Sequence, residues 1–189
     1  MDSATGECVC YEIDPRPSQF TVQAFAAGLL SGVAHSPKIA IRDWSGQAQF
    51  VPETLRAASL RIKIKLASLQ VLDEMRETDR REIHRVMFEE VLDIKHYPEL
   101  IFESTEIAAE KQNQTLYKVR FGGNLTLHGV TASHQFTGQV AFGVDSFRAY
   151  GEFLLLQPVY GIPIASIAGG TMRLREEIKI SFYVVARKT

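Results

Sequence analysis

Residues 117–131, YKVRFGGNLTLHGVT, set Val119, Phe121, Leu125 and Leu127 at alternate positions, with polar residues or glycine between them. A strand projects successive side chains to opposite faces. A period of two therefore predicts one apolar and one wet face, as in an antiparallel sheet with one side buried. Gly122-Gly123 interrupt the run without side chains, which weakens a flat strand and predicts a bulge or sharp bend. A sheet that bends can curl around its own apolar face. His128-Gly129-Val130-Thr131 then turns the chain into a second alternating run, Phe136, Gly138, Val140 and Phe142, so the two runs read as a hairpin.

The same period recurs along the chain. Tyr11 to Asp14 predicts a short strand ended by Pro15 and Pro17, which cannot donate to a ladder, and Phe20, Val22, Ala24 and Ala26 a second one. The pattern breaks between Gly28 and Pro37, and Lys38 to Val51 resumes it with a bend expected near Trp44-Ser45-Gly46. Leu60, Ile62, Ile64 and Leu66 alternate with Arg61, Lys63 and Lys65. Those three cations in isolation resemble a nucleic-acid patch, but the solvated face of a strand is the simpler reading, since outward charges also discourage edge pairing.

Ile101 to Ile107 predicts another strand, with Phe102 on its apolar side, joined to the opening segment by a polar loop at Lys111 to Gln114. Phe147, Ala149, Gly151, Phe153 and Leu155 make the next, where three consecutive leucines at 154–156 suggest cover on both faces. Met172 to Ala186 closes the series with Leu174, Ile178, Ile180, Phe182 and Val184 inward and Glu176 as the single polar residue on that side, marking a strand end, a bulge or a buried polar group. The apolar loop from Tyr160 to Gly170 is expected to fold back over the core or to rim an opening.

One segment changes period. Asp79 and Glu82 stand at capping-box spacing, and Ile83, Val86, Met87 and Val91 recur at helical intervals, predicting an amphipathic helix over residues 80–92. It either plugs a mouth of the curled sheet or packs along its outside. About eight strands and one principal helix give an all-β fold, and eight antiparallel strands suit a closed barrel that side chains or one slender ligand can fill.

With 189 residues and no linker-like change in composition, one domain is expected over 11–189, after a tail at 1–10. Hydrophobic residues at 46% and charged residues at 23% are ordinary for a globular chain, and the apolar runs are too short for a membrane span. A net charge of −1 with scattered Lys and Arg removes the electrostatic footprint of a nucleic-acid binder. No basic stretch leads into an apolar one at the N-terminus, which makes a cytoplasmic location the expectation. Cys8 and Cys10 are too close for an unstrained disulfide and too few for a metal site, so no metal is expected there.

Several pieces occur in a telling order: Asp79-Arg-Arg-Glu-Ile83, Tyr97-Pro-Glu-Leu-Ile-Phe-Glu-Ser104, Gly123-Asn-Leu-Thr-Leu-His-Gly-Val-Thr131 and Tyr160-Gly-Ile162. In this the chain resembles the YceI-like family from about Ile13 to Ala186. The resemblance implies an extended eight-stranded antiparallel lipocalin-like β-barrel whose elongated apolar tunnel holds a polyisoprenoid chain or similar amphiphile. Members usually carry a Phe…His-x-Gly-Phe arrangement before the early bent strand and many are exported; here residues 25–37 read FAAGLLSGVAHSP.

The histidines, His35, His84, His96, His128 and His134, show neither HxH nor HxxxH spacing, and no nucleophile, phosphate-binding or zinc-protease motif is present. His128 fits a structural role in the hairpin turn, with contact to a ligand head group as the alternative. The expected activity is therefore non-enzymatic: binding, storage or transport of a long apolar ligand such as a polyisoprenoid or isoprenoid quinone, with no cofactor, by a monomer or homodimer. The candidate lining is Leu60, Ile62, Ile64, Phe102, Val119, Phe121, Leu125, Leu127, Phe136, Val140, Phe142, Phe153, Ile178, Ile180 and Phe182. The alternatives are a barrel filled solid by these side chains and acting as an interaction module, or an enzyme on a lipid or quinone using Glu176, His128 and His134.

Overall fold

The computed structural model describes residues 7–27, 36–52, 55–167 and 172–189. In chain order its strands are β1 (Val9–Ala26), β2 (Lys38–Ile41), β3 (Trp44–Val51), β4 (Arg56–Lys65), β5 (Leu69–Val71), β6 (Glu99–Lys111), β7 (Leu116–Leu127), β8 (Val130–Phe142), β9 (Ser146–Leu156), β10 (Ser166–Ile167) and β11 (Met172–Lys188). Eight of them close a barrel in the order β1, β3, β4, β6, β7, β8, β9, β11, with β11 returning to β1 from Tyr11↔Lys188 to Ala26↔Leu174. All pairs in the ring are antiparallel. β2 and β5 extend the wall beside the second half of β1. Val9 and Cys10, expected in the tail, are the first residues of β1 and pair with Phe50 and Gln49.

The prolines do not end the first strand. Asp14 and Gln19 flank a register shift, so β1 carries Pro15 and Pro17 through an outward bulge. Two features hold it. The Ser18 hydroxyl accepts the Val185 N–H at 2.9 Å, which restores a ladder bond the bulge would lose. Arg16 grips Asp14 with Nε at 3.0 Å and Nη2 at 2.9 Å, and Arg187 approaches the same carboxylate at 3.2 Å. These cations hold the Asp14 carboxyl well below the usual carboxylate range.

The bend expected at residues 44–46 lies instead at Arg42-Asp43, between β2 and β3, where the Ser68 hydroxyl accepts the Arg42 N–H at 3.2 Å. The basic stripe of β4 is the solvated face of a strand: Arg61 meets Glu103 at 3.1 Å, Lys63 meets Glu99 at 2.7 Å and Lys65 meets Asp43 at 2.8 Å. The bulge predicted at Gly122-Gly123 falls on the partner strand, where Thr105 is the extra residue between Ser104 and Glu106. Gly123 is what lets the strands close there, because a Cβ on it would collide with the Glu103 carbonyl and come within 2.8 Å of Phe102 Cζ. At the end of β7, His128 and Gly129 both have positive φ, 52° and 75°, the two-residue turn that matches strand twist.

Cover on both faces of β9 is not found. Leu155 is fully buried, whereas Leu154 and Leu156 are exposed, as strict alternation dictates. Glu176 also faces outward: between the pairs Ala26↔Leu174 and Ala24↔Ile178, β11 has three residues against one on β1, and the bulge turns the carboxylate to solvent. The apolar loop after β9 folds into the core, with Tyr160 and Ile162 buried. Its Gly169-Gly170 end lies outside the described residues, as does most of the break between Gly28 and Pro37, His35 included.

The helix starts earlier and ends differently than its pattern implies. α1 (Glu77–Arg85) has Arg76 at its N-cap with no side-chain cap, so Asp79 and Glu82 form no capping box. Arg80 anchors the first turn instead, donating to the Val71 carbonyl at 2.6 Å and the Asp73 carbonyl at 3.1 Å, while Arg76 Nε holds Asp79 at 3.0 Å. From Val86 to Val91 the coil widens to a π-helical turn, closed by Leu92 N–H to the Met87 carbonyl at 2.9 Å.

Candidate functional site

The inward side chains of the barrel leave space between them. A cavity of about 270 Å³, near the lower end of the roughly 300–1,000 Å³ common for small-molecule pockets, runs along the axis. All fifteen residues singled out in the sequence line it. On β7 the lining runs from Val119 to Leu127. Those eight residue steps make roughly 26 Å of strand, or about 20 Å of axis at the tilt usual for barrels.

Pattern reading missed part of the wall. Ile13, Phe20, Val22, Ile39 and Ile41 contribute from β1 and β2, and Ala48, Phe50, Phe147, Ala149, Leu155 and Val184 from the other strands. Their alternation was visible, but a small alanine or a strand broken by prolines gives little sign of facing a void. The helix takes the first of its two expected positions. Ile83, Val86, Met87, Val91 and Leu92 all line the cavity, so the helical segment covers one mouth. The π turn adds a residue to the coil and keeps these side chains on one face. His84 braces the cover, its ring stacked on Phe88 at 5.5 Å and its Nε2 accepting the Val71 N–H at 3.4 Å.

The other mouth is closed by rings. Tyr11 stacks on Phe50 at 4.6 Å, and Phe142 meets Phe50 and Tyr117 edge-on, each at 5.4 Å. In the middle, Phe121 stacks on Phe136 at 5.0 Å and Phe136 on Phe153 at 4.7 Å, a strip of aromatic faces along one wall.

Among the described residues the lining contains no charge, and Gln49, Ser59 and Gln157 are its only polar members. Gln157 is buried and its amide donates to the carbonyls of Arg175 and Glu176 at 3.1 and 3.3 Å, which ties it to the wall. The three residues considered for catalysis do not converge. Glu176 is exposed, and His128 sits in the hairpin turn with its ring 4.6 Å from that of Tyr97, away from the lining. His134 is half-buried, 5.1 Å from the Phe153 ring; burial lowers its pKa, and its Nε2 has no hydrogen-bond partner among the described residues. The buried Tyr160 hydroxyl is also unpartnered, and burial raises its pKa. Among the described residues no three His, Cys, Asp or Glu side chains cluster as a metal site requires; Cys8 and Cys10 are exposed free thiols, and Gln49 Nε2 contacts Cys10 Sγ at 2.9 Å. No helix among those residues is long and apolar enough to cross a membrane.

The family model for the YceI-like domain matches residues 11–186, nearly the whole barrel. The chain belongs to the YceI-like family. Solved structures agree on the architecture. This YceI-like barrel is similar to Burkholderia cenocepacia BcnA at 20% identity and a TM-score of 0.70, over 92% of this chain and 98% of that one. It is similar to a polyisoprenoid binding domain from Saccharophagus degradans, implicated in plant cell wall breakdown, at 11% identity and TM-score 0.65, over 96% and 99%. A Campylobacter jejuni YCEI protein follows at 17% identity and TM-score 0.61, over 80% and 84%. At these identities the likeness concerns the fold. No curated protein sequence matches the chain.

Proposed function

We propose that this YceI-like barrel is a non-enzymatic carrier that binds a long apolar chain, a polyisoprenoid, an isoprenoid quinone or a comparable amphiphile, along its axis. The observation that carries the reading is the lining: a narrow cavity walled by aliphatic and aromatic side chains, with no charge among the described residues. Such a wall recognises hydrocarbon by removing it from water, at about 0.8 kcal/mol per methylene. The fifteen residues from Leu60 to Phe182 are the proposed contacts, joined by Ile83, Met87 and Leu92 of the helical cover.

The polyisoprenoid binding domain from Saccharophagus degradans supports the ligand class, since it shares the fold over nearly its whole length. A carrier role fits the dispersal of Glu176, His128 and His134, which do not form a paired acid and base at the cavity. A reducing, cytoplasmic setting fits the two exposed free thiols.

The test is a binding series with polyprenols of increasing length, read by quenching of the intrinsic fluorescence of Trp44 and the tyrosines. Affinity should climb with each added unit and level off once the cavity is full. Equal affinity for short and long alcohols, or none, would remove the carrier reading and leave an interaction module.

A further inference from the structure

The barrel wall is not continuous. β8 and β9 pair from Phe142↔Phe147 as far as Gly138↔Gly151 and no further, although β8 extends back to Val130 and β9 on to Leu156. β7 holds the other edge of β8 along this whole stretch, from Gly138 to Val130, and β11 holds β9 through Leu156. The two strands therefore diverge into a seam on the side of the barrel, toward the helix-covered end. At its apex lies a glycine pair on which Phe182 rests; a Cβ at either Gly138 or Gly151 would come within 2.9 Å of Phe182 Cζ.

Side chains, not ladder hydrogen bonds, fill the seam. Phe136 and Phe153 stack across it at 4.7 Å, and His134 leans on Phe153. Phe136 and Phe153 both line the cavity and both remain half-buried. The turn Gln157–Tyr160 packs against β8 lower down. On the outer lip Leu154, Leu156, Val159 and Val130 are exposed and form an apolar margin.

From this geometry we propose that the seam between Val130–Thr137 of β8 and Glu152–Leu156 of β9 is a lateral portal through which a hydrocarbon chain enters and leaves the cavity. The proposal rests on the carrier reading above. Parting strands where they are paired breaks backbone hydrogen bonds and orphans their donors and acceptors, and where β4 and β6 stop pairing past Arg61↔Glu103 the Ser104 hydroxyl accepts the Leu60 N–H at 2.8 Å. Here ring contacts and the packing of the Gln157–Tyr160 turn on β8 have to shift, with no strand ladder to break. The helical cover, pinned by Arg80 and His84, has by contrast polar anchors to break. Phe136 and Phe153 are the shutters, and the exposed leucines spare the passing chain contact with water.

The test compares two tethers in a Cys8→Ser, Cys10→Ser background. Continuing the register past Gly138–Gly151 would set Ser133 opposite Leu156, so Ser133→Cys with Leu156→Cys, joined by a thiol-reactive linker containing a reducible disulfide, ties the lips together. Leu72→Cys with Arg81→Cys, joined by the same linker, ties the helix to the wall and keeps the Arg80 anchor. Uptake of a fluorescent long-chain polyene alcohol is followed by stopped flow. The seam tether should slow uptake by at least about tenfold, as closing an entry gate does, and reduction should restore it. The helix tether should leave the rate unchanged.

Unchanged uptake through a tied seam, or uptake abolished by the helix tether, overturns the portal while leaving the carrier reading in place. Untethered protein that takes up no probe overturns both. Phe153→Ala gives a second measure without a linker: removing a shutter should speed release of bound probe, and release no faster than in the parent protein counts against the portal.

Discussion

Ala149 offers a way to shorten the cavity without adding polarity. It is buried on β9, lines the cavity, and faces Val140 on β8 and Val184 on β11. Ala149→Leu adds three carbons that project into space a ligand would occupy. If they displace three methylenes of ligand at about 0.8 kcal/mol each, binding weakens by about 2.4 kcal/mol, or roughly 50-fold. The folded protein should not suffer in proportion, because hydrocarbon placed in a void is often stabilising. Arg148→Leu, one residue along and exposed, is the control, with an expected change within the error of the titration. Equilibrium titration with a long-chain fluorescent alcohol gives the affinities and thermal unfolding the stabilities. An Ala149→Leu protein that is intact and binds as tightly as its parent would refute the reasoning, as would an Arg148→Leu protein that loses affinity equally.

Three further outcomes follow from the packing. Gly123→Ala sets a Cβ against the Glu103 carbonyl and the Phe102 ring, and overpacking of this kind costs about 1–3 kcal/mol, readable by urea unfolding. Arg80→Ala removes both donors that tie α1 to β5 and should raise amide exchange over residues 77–92 while leaving that of β7 unaltered. Asp14 is held as the carboxylate by Arg16 and Arg187, so its pKa is depressed on folding. Its contribution is present above the unfolded value and is lost as pH falls below about 4 toward the folded one. Unfolding midpoints across that range should decline less steeply for Asp14→Asn than for the parent.

The barrel was legible because its driving signal is local. Alternation in Leu60–Leu66, Val119–Leu127 and Ile178–Val184 fixes which side chains face inward, and once eight such strands close, every one of those residues reaches the cavity. Events that depend on two strands at once were less so. Pro15 and Pro17 predicted a strand end, yet Val185, far along the chain, finds the Ser18 hydroxyl and the strand continues. Glycines at 122 and 123 marked the level of a bulge but not the strand that carries it. The capping-box spacing at Asp79 lost to tertiary anchors on Arg80, which no local pattern encodes.

The void itself had no signature. Leu, Ile and Phe at inward positions would read the same in a solid core, and only the closed geometry shows that they do not meet across the axis. The seam was equally silent: Gly138 and Gly151 stood in the alternation as small residues on strands, and their mutual pairing gives them meaning.

The most direct test of the account is native mass spectrometry of protein isolated gently from cells and then supplied with a polyprenol in excess. A carrier with a single axial cavity should gain the mass of one polyprenol per chain, and that mass should be absent from a protein whose cavity is blocked by Ala149→Leu combined with Ala48→Leu. A chain that stays at its bare mass at every polyprenol concentration would contradict the central claim.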